Sequence, residues 1–206
     1  VIVSEETGQI SIAENGALDH DIARDDFATV LAQRLAAPLP EPSAGAETTR
    51  NAFGYGLRTL VENPEQLARL RDAPDRMRSA IEEIVRWTTP SIYKRHTVTR
   101  DIEFHGASLK TGDKLTIWEM SSNRDDRIFN NPFTFDIARM PNRHIGFGFG
   151  AHICLGAALA RLELKVGLAT LLERILDFEI EGPPQWVPNN RLLGLKRLPL
   201  RIIFKG

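Results

Sequence analysis

The spacing of apolar residues predicts helices along most of the chain, because apolar residues recur there every three or four positions. The predicted helices run from Asp25 to about Leu35, from Ser43 through Leu60, over a short stretch from Pro64, from Asp75 to about Val85, and from Leu155 to Leu176. Two of these helices carry apolar stripes. The stripes are Met77, Ala80, Ile81, Ile84 and Val85, and Leu155, Leu159, Leu162, Val166, Ala169 and Leu176. The chain is therefore predicted to be mainly helical.

Alternating polar and apolar residues predict strands in three shorter regions. A hairpin is expected from residues 1–3 and 9–12, a small sheet within His96–Asp126, and a closing hairpin within Leu192–Phe204. Residues 130–150 are rich in Pro, Asn and Gly and are predicted to be irregular. The expected fold class is mainly α with small β-sheets (α+β).

Three prolines divide the chain into two regions. Pro38, Pro40 and Pro42 disallow both a helix and a central strand, so this stretch is predicted to be a linker or junction. We therefore expect a first unit at residues 1–42, made of a hairpin and a helix, and a longer unit at residues 43–206.

Composition narrows the class of protein. A 42% hydrophobic and 26% charged chain of 206 residues excludes a disordered or fibrous protein. The net charge of -1 provides no field toward nucleic acid or an anionic membrane, so neither is an expected partner. The sequence contains no uncharged run of about 18 residues, and no membrane span is expected. One cysteine and the lack of a signal-peptide pattern are typical of a cytoplasmic location.

The chemically informative stretch lies at residues 146–156, which contain four of the chain's 15 glycines. Its cysteine, Cys154, stands just before the predicted Leu155 helix, where exposed N–H groups and the helix dipole favour a thiolate. A thiolate there is a metal ligand or a nucleophile. A nucleophile needs a base, and His152 lies too close along a tight loop; tetrahedral zinc needs further Cys or His ligands. A buried small hydrophobe is the remaining alternative.

The pattern Phe147-x-x-Gly150-x-His152-x-Cys154-x-Gly156 resembles the haem-binding loop of cytochrome P450. The resemblance implies that Cys154 is the axial ligand of a haem b iron, within a cofactor-binding loop that includes Phe147, Gly148, His152 and Gly156. It also implies that Arg95, His144 and His152 meet the haem propionates. Arg95 and His144 have an alternative interpretation as exposed side chains.

The resemblance extends to two further motifs. Glu83-x-x-Arg86 and Arg139 resemble the family's structural triad, a buried network that fixes the cysteine loop. The helical wheel alone indicates a surface Glu83–Arg86 pair worth less than about 1 kcal/mol. Glu47 and Thr48 resemble the catalytic acid–alcohol pair that relays protons, and their alternative interpretation is an ordinary first turn of a helix.

The resemblance therefore implies a haem-thiolate monooxygenase that uses O2 and oxygenates an apolar substrate, with sterol or lipid as the favoured class. Electrons are expected from a ferredoxin or a flavoprotein reductase that docks near Arg143, Arg161 and Lys165, although these three residues are equally typical of a solvated surface. The resemblance covers residues 43–206, the C-terminal half of that fold, so this truncated chain alone is expected to be incompetent as an enzyme and poorly soluble.

Two other function classes remain open. The first is a noncatalytic composite fragment with weak or no haem binding, which the missing half favours. The second is an adenine-nucleotide-binding remnant, because residues 1–42 resemble the end of a diadenylate cyclase domain, without that family's catalytic motifs.

Overall fold

The computed structural model describes residues 2–3, 10–14, 17–22 and 46–205. Its α-helices are α1 (Ala46–Glu62), α2 (Pro64–Asp72), α3 (Met77–Thr88), α4 (Glu119–Ser122) and α5 (Ala157–Arg174). Two 3-10 turns lie at Pro74–Arg76 and Gly150–His152. The predicted helix at residues 25–35 and the proline-rich stretch at residues 38–42 lie outside the described residues. In the parts described, no helix is long and apolar enough to cross a bilayer.

The helix α3 is confirmed together with its apolar stripe. Met77, Ala80, Ile81, Ile84 and Val85 are all buried in the core. The helix ends where Thr89 adopts a left-handed conformation (φ 37°) and donates its N–H to the carbonyl of Val85. This sharp end sends the chain toward the strand that follows.

Helix α5 is confirmed, but its predicted stripe does not face the core. Leu159 and Leu162 are 47% and 39% exposed, and Leu176, which lies beyond the helix, is 54% exposed. The buried face consists instead of Ala157, Leu164, Gly167, Leu168 and Leu172. Because α5 is apolar on more than one side, its sequence period did not identify the side that is covered.

The core joins α1, α3 and α5 in close contact. A Cβ on Gly167 of α5 would lie 2.7 Å from the Phe53 ring of α1, and a Cβ on Gly56 of α1 would lie 2.5 Å from Ile84 of α3. Both distances are shorter than carbon atoms tolerate, so these helices approach each other through glycines. Their packing places the N-terminus of α5, where the cysteine loop ends, beside α3.

The strands form short antiparallel pairs. They are β1 (Ile2–Val3), β2 (Ile10–Glu14), β3 (Ala17–Ile22), β4 (Tyr93–Thr97), β5 (Ile102–Phe104), β6 (Ala107–Leu109), β7 (Lys114–Trp118), β8 (Ile175–Ile180), β9 (Gln185–Trp186), β10 (Leu195–Arg197) and β11 (Leu200–Phe204). The first three form one sheet in the order β1-β2-β3. The N-terminal pairing of β1 with β2 is confirmed, with Ile2 opposite Ser11, and β3 is a third strand that was not predicted.

Two strand predictions are corrected. The region from His96 to Asp126 forms two separate pairs, β4 with β7 and β5 with β6, and not one sheet. The closing hairpin is wrong, because β10 pairs with β9 and β11 pairs with β8. The alternation correctly indicated strands, but the partners come from residues distant in sequence. The irregular character of residues 130–149 is confirmed.

Candidate cofactor site

The cysteine loop, residues 144–156, folds back on itself through two left-handed glycines. Gly148 and Gly150 have φ angles of 74° and 67°, which residues with a side chain rarely adopt. The reversal lets the N–H of Cys154 donate to the carbonyl of Phe147 over 2.8 Å, and Ala157 opens α5 immediately afterwards. The loop therefore holds Cys154 just before the N-terminus of α5.

The outer part of this loop faces away from the core. All eight residues from Phe149 to Gly156 are exposed, Cys154 among them. Phe149, Ile153 and Leu155 are 56%, 60% and 102% exposed. The alternative of Cys154 as a buried small hydrophobe is therefore wrong. An accessible cysteine in a loop with exposed apolar side chains can bind a metal ion carried by a flat, apolar prosthetic group.

The carboxylate of Glu82, on α3, binds two side chains that contact this loop. Arg161 of α5 donates to both oxygens of Glu82, over 2.6 Å from Nε and 2.9 Å from Nη2. His144 lies 2.9 Å away, from its Nε2 to Oε2 of Glu82. Although burial raises the pKa of Glu82, the hydrogen bonds from His144 and Arg161 outweigh it and lower that pKa from 4.5 to about 2. Glu82 is therefore ionised in the folded chain.

Arg161 also covers the aromatic residue of the loop. Its guanidinium carbon lies 4.4 Å from the centroid of the Phe147 ring, within the range of a cation–π contact. The hydrogen bond to Glu82 raises the pKa of Arg161, burial opposes this, and the charge of Glu82 and then that of Cys154 raise it further. Arg161 thus keeps its positive charge beside the cysteine loop.

His144, expected to meet a propionate, is bonded within the protein through both nitrogens of its ring. The N–H of Gly146 donates to Nδ1 of His144 over 3.2 Å, so the proton of the neutral ring lies on Nε2, which donates to Glu82. Both ring nitrogens already have partners within the protein, and the side chain is 3% exposed. His144 therefore anchors the start of the loop.

Arg95 and His96 are neighbours in β4, and their side chains lie on opposite faces of the strand. Successive side chains on a strand point to opposite faces. Lys94 and His96 line a small cleft with Gly148, Phe149 and His152. The ring centroids of His96 and His152 lie 6.2 Å apart, whereas Arg95 is exposed and does not line this cleft. The structure therefore places His96 and not Arg95 beside the cysteine loop.

A buried carboxylate completes the cleft. Glu119 is 2% exposed, and Lys94 donates to its Oε1 over 2.6 Å. Its Oε2 is buried and has no hydrogen-bond partner among the described residues. Burial raises the pKa of Glu119, while the hydrogen bond from Lys94 lowers it in part. The cleft therefore combines one cationic side chain, two imidazoles and a carboxylate.

Glu83, Arg86 and Arg139 form one buried network. Arg86 donates to both oxygens of Glu83, over 2.7 and 2.8 Å, and Arg139 Nε lies 3.1 and 3.2 Å from the same oxygens. Glu83 and Arg86 are fully buried. The alternative of a surface pair is therefore wrong. The helical wheel predicted an exposed pair because it takes no account of residues that cover the helix. The irregular segment at residues 123–142, called the meander below, covers the polar side of α3.

The meander is held mainly through its backbone. Arg86 Nη1 donates to the carbonyls of Asn123 and Pro132 over 2.8 and 2.9 Å, and Arg139 Nη1 donates to that of Asn130 over 2.7 Å. The Oδ1 of Asn123 accepts the N–H of Ile145 over 2.8 Å. The network is thereby connected to the start of the cysteine loop.

Glu47 and Thr48 lie in the first described turn of α1, and both are half-buried. Helix α1 packs against α5 through Phe53 and Gly167, and against α3 through Gly56 and Ile84. The acid–alcohol pair is thus carried by the helix that crosses the two helices supporting the cysteine loop.

The three candidate docking cations differ in their surroundings. Arg143 and Lys165 are exposed. Arg161 is paired with Glu82 and stacked on Phe147, so its charge is largely balanced within the protein. Arg161 is therefore a paired but partly exposed side chain, and its role as a docking charge stays a prediction.

Comparison with known sequences supports these observations. The family model of cytochrome P450 matches residues 42–204. The chain is 48% identical over 160 residues to cytochrome P450 126 of Mycobacterium tuberculosis and 45% identical over 159 residues to the methyl-branched lipid omega-hydroxylase of Mycobacterium bovis. These matches cover 78% and 76% of this chain, but 39% and 37% of the relatives. The chain thus spans about two fifths of their length.

The N-terminal region is included in another match. Cytochrome P450-terp of a Pseudomonas species is 38% identical over 192 residues, which cover 93% of this chain and 44% of that protein. A match of this length must include part of residues 1–42. The comparisons do not support the resemblance of those residues to a diadenylate cyclase.

A solved structure shows the same fold. The crystal structure of P450BioI in complex with an acyl carrier protein ligated to hexadec-9Z-enoic acid matches with a TM-score of 0.75 and 30% identity. The match covers 87% of this chain and 53% of that chain. The expected α+β class and the expected fold are confirmed. With a family model matched over more than half of its residues, the chain belongs to the cytochrome P450 family, whose cofactor is a haem.

Proposed function

We propose that this chain is the haem-binding part of a haem-thiolate monooxygenase that uses O2 and external electrons to oxygenate an apolar substrate. The observation that carries the proposal is the exposed Cys154, held by the carbonyl of Phe147 in a glycine loop that leads directly into α5. Residues 43–206 are assigned to this haem-binding part, and the family match over residues 42–204 supports the assignment.

The residues present fit a haem b. Cys154 offers one accessible sulfur, and the apolar residues Phe149, Ile153 and Leu155 of the same loop are exposed beside it in the sequence. The cleft beside the loop offers the imidazoles of His96 and His152 to the two carboxylates of the cofactor, while the ammonium of Lys94 is already paired with Glu119. When bound, haem supplies an iron that activates O2, and a thiolate ligand donates electron density to that iron.

Other residues of the chain are assigned to shaping the loop, holding the meander and transferring protons. Gly148, Gly150 and Gly156 would let the backbone approach a bound haem closely, and the Phe147 ring would shield the cysteine sulfur. Glu83, Arg86 and Arg139 hold the meander against α3. With haem bound, the hydroxyl of Thr48 would pass a proton toward the oxygen substrate, and Glu47 would relay protons to Thr48 from solvent.

The substrate class rests on similarity. One relative, the methyl-branched lipid omega-hydroxylase of Mycobacterium bovis, acts on a lipid by its name, and the identity of 45% supports a lipid-like apolar substrate here. Electrons are assigned to a ferredoxin or a flavoprotein reductase, with Arg143 and Lys165 as docking cations. Both side chains are exposed on or near the elements that flank the cysteine loop.

A second function is favoured by the exposure of apolar residues. Leu155 is 102% exposed and Leu159 is 47% exposed. Contiguous apolar surface is typical of an interface with another polypeptide. The second candidate is therefore a noncatalytic piece that binds haem weakly or not at all without further polypeptide.

One experiment separates the two functions. The purified chain is titrated with hemin, and the stoichiometry, the oligomeric state and the ratio of product to reductant consumed are measured with a ferredoxin, its reductase and a fatty acid. Stoichiometric haem binding by a monomer, with product formed in step with reductant, supports a competent monooxygenase. Binding without coupled product limits the chain to the cofactor-holding part, and no binding at all refutes the haem proposal.

A further inference from the structure

Two independent chains of contacts run from the Glu82 carboxylate to the cysteine loop. The first goes through His144, whose Nε2 binds Glu82 and whose Nδ1 accepts the N–H of Gly146. The second goes through Arg161, which is bonded to both oxygens of Glu82 and lies over the ring of Phe147. The carbonyl of Phe147 in turn accepts the N–H of Cys154.

The first chain of contacts fixes where the loop begins. Gly146 packs so closely on α3 that a Cβ there would lie 2.8 Å from Val85 Cγ1 and 3.3 Å from the Val85 carbonyl. Glu82 accepts the Nε2 proton of His144, which leaves Nδ1 as the acceptor that Gly146 requires. Without this acceptor, nothing fixes that tautomer, and the N–H of Gly146 loses its partner.

The second chain of contacts reaches Cys154, near the end of the loop, by way of Phe147. A guanidinium held by two hydrogen bonds to one carboxylate has a defined plane. That plane lies against Phe147, the residue whose carbonyl holds the backbone of Cys154. Without the carboxylate, Arg161 is free to turn toward solvent, since its side chain is already 42% exposed.

We propose that Glu82 is a positioning residue that holds the cysteine loop at both ends, through His144 at Gly146 and through Arg161 at Phe147 and Cys154. The role of Cys154 as an iron ligand belongs to the proposed function, on which this inference rests for its consequence at the haem. The positioning itself concerns contacts within the protein.

The first test uses the chain without haem and reads hydrogen exchange at single amides by NMR. In Glu82→Leu, which removes both acceptor oxygens, the amides of Gly146 and Cys154 should exchange about tenfold or more faster than in wild type, because each loses its fixed partner. In Arg161→Met, the amide of Cys154 should be affected and that of Gly146 should not. Amides in the middle of α3 should keep their protection in both variants.

The matched control is Glu62→Leu. Glu62 also binds an arginine, Arg58, over 2.7 Å, but on α1 and 42% exposed. Its replacement should leave the exchange of both loop amides within twofold of wild type. Equal exchange of the loop amides in all three variants, or a uniform acceleration of every amide in Glu82→Leu and Arg161→Met, overturns the positioning role.

The second test adds hemin and measures the fraction of the reduced, carbon monoxide-bound form that shows the thiolate-type band. Glu82→Leu should lower this fraction relative to wild type and Glu62→Leu, since a mobile loop holds the sulfur less well. An unchanged fraction in Glu82→Leu counts against the inference. A wild-type chain with no thiolate band contradicts the proposed function instead, and the exchange data still decide the positioning role.

Discussion

The carboxylates of Glu82 and Glu83 are adjacent in the chain, yet they belong to two separate hydrogen-bond networks. Glu82 binds His144 and Arg161, which support the cysteine loop and α5. Glu83 binds Arg86 and Arg139, which hold the meander. One turn of α3 therefore holds both the cysteine loop and the meander, and the two networks should respond differently to substitution.

Replacement of Glu83 should strongly destabilise the fold. In Glu83→Ala, the guanidiniums of Arg86 and Arg139 remain in place without their carboxylate, and removal of one partner from a buried charge network costs about 3–5 kcal/mol. Urea unfolding followed by circular dichroism measures the change in the free energy of unfolding. The matched variant Glu62→Ala breaks an exposed pair with Arg58 and should cost less than about 1 kcal/mol. Similar values for the two variants would show that the Glu83 network contributes no more than a surface pair.

The stability of the chain should fall in acid partly because of Glu82. Its pKa is lowered from 4.5 to about 2, so the ionised carboxylate contributes stability above pH 4.5, and the contribution disappears as the pH falls toward 2. The free energy of unfolding, measured by urea titration at several pH values across this range, should fall less steeply in Glu82→Gln than in wild type.

Asp101 provides the control for that measurement. Its pKa is also lowered, by a hydrogen bond from the backbone of Thr111 and by Lys110, but its side chain is 60% exposed. Because water screens such a site, Asp101→Asn should change the acid slope less than Glu82→Gln does. Equal slopes in wild type and Glu82→Gln would contradict the assignment of the low pKa.

His96 should matter for haem retention, and Arg95 should not. His96 lines the cleft beside His152, while Arg95 is exposed and lies outside it. His96→Ala should weaken hemin binding by about tenfold, the value of one hydrogen bond to a charged group. Arg95→Ala, one residue away on the same strand, should bind as wild type. Hemin titration followed by quenching of tryptophan fluorescence gives both affinities, and a larger loss in Arg95→Ala would reverse the assignment.

The sequence predicted the helices well and their surroundings less well. The stripe of α3 identified its buried face because that helix has one apolar side, whereas α5 is apolar on two sides and Leu159 is exposed. The burial of Glu83 and Arg86 depends on the meander, which lies more than 35 residues away and has no regular pattern. The prediction of strand partners was wrong for the same reason, because the partners are distant in sequence: 19 residues separate β8 from β11.

Within the site, the glycine pattern around Cys154 identified the loop, since left-handed backbone at Gly148 and Gly150 leaves a signature in sequence. To choose between Arg95 and His96, one must know which face of β4 lies against the cysteine loop. The alternation of residues along a strand does not show which of its two faces is covered. Glu82 was not singled out, because its neighbour Glu83 carries the recognisable motif and its partners His144 and Arg161 are 62 and 79 residues away.

Exposed leucines just before α5 and in its first turns should make the isolated chain self-associate. Leu155, Leu159 and Leu162 follow one another at intervals of three or four residues, and they are 102%, 47% and 39% exposed. Sedimentation velocity should show oligomers whose population falls in the double variant Leu155→Ser, Leu159→Ser. Lys165→Ser, at an exposed position of the same helix, should leave the distribution unchanged. A monomeric wild-type chain at high concentration would contradict this prediction.

The central claim is that the sulfur of Cys154 binds the haem iron, and the absorption spectrum of the reduced, carbon monoxide-bound protein tests it most directly. Cys154 is the chain's one cysteine, so no other thiolate can substitute for it. With hemin supplied, the wild-type chain should show the thiolate-type band, and Cys154→His should retain haem through its imidazole but lose that band completely. A thiolate-type band that persists in Cys154→His would contradict the assignment, as would its absence from a wild-type chain that has bound haem.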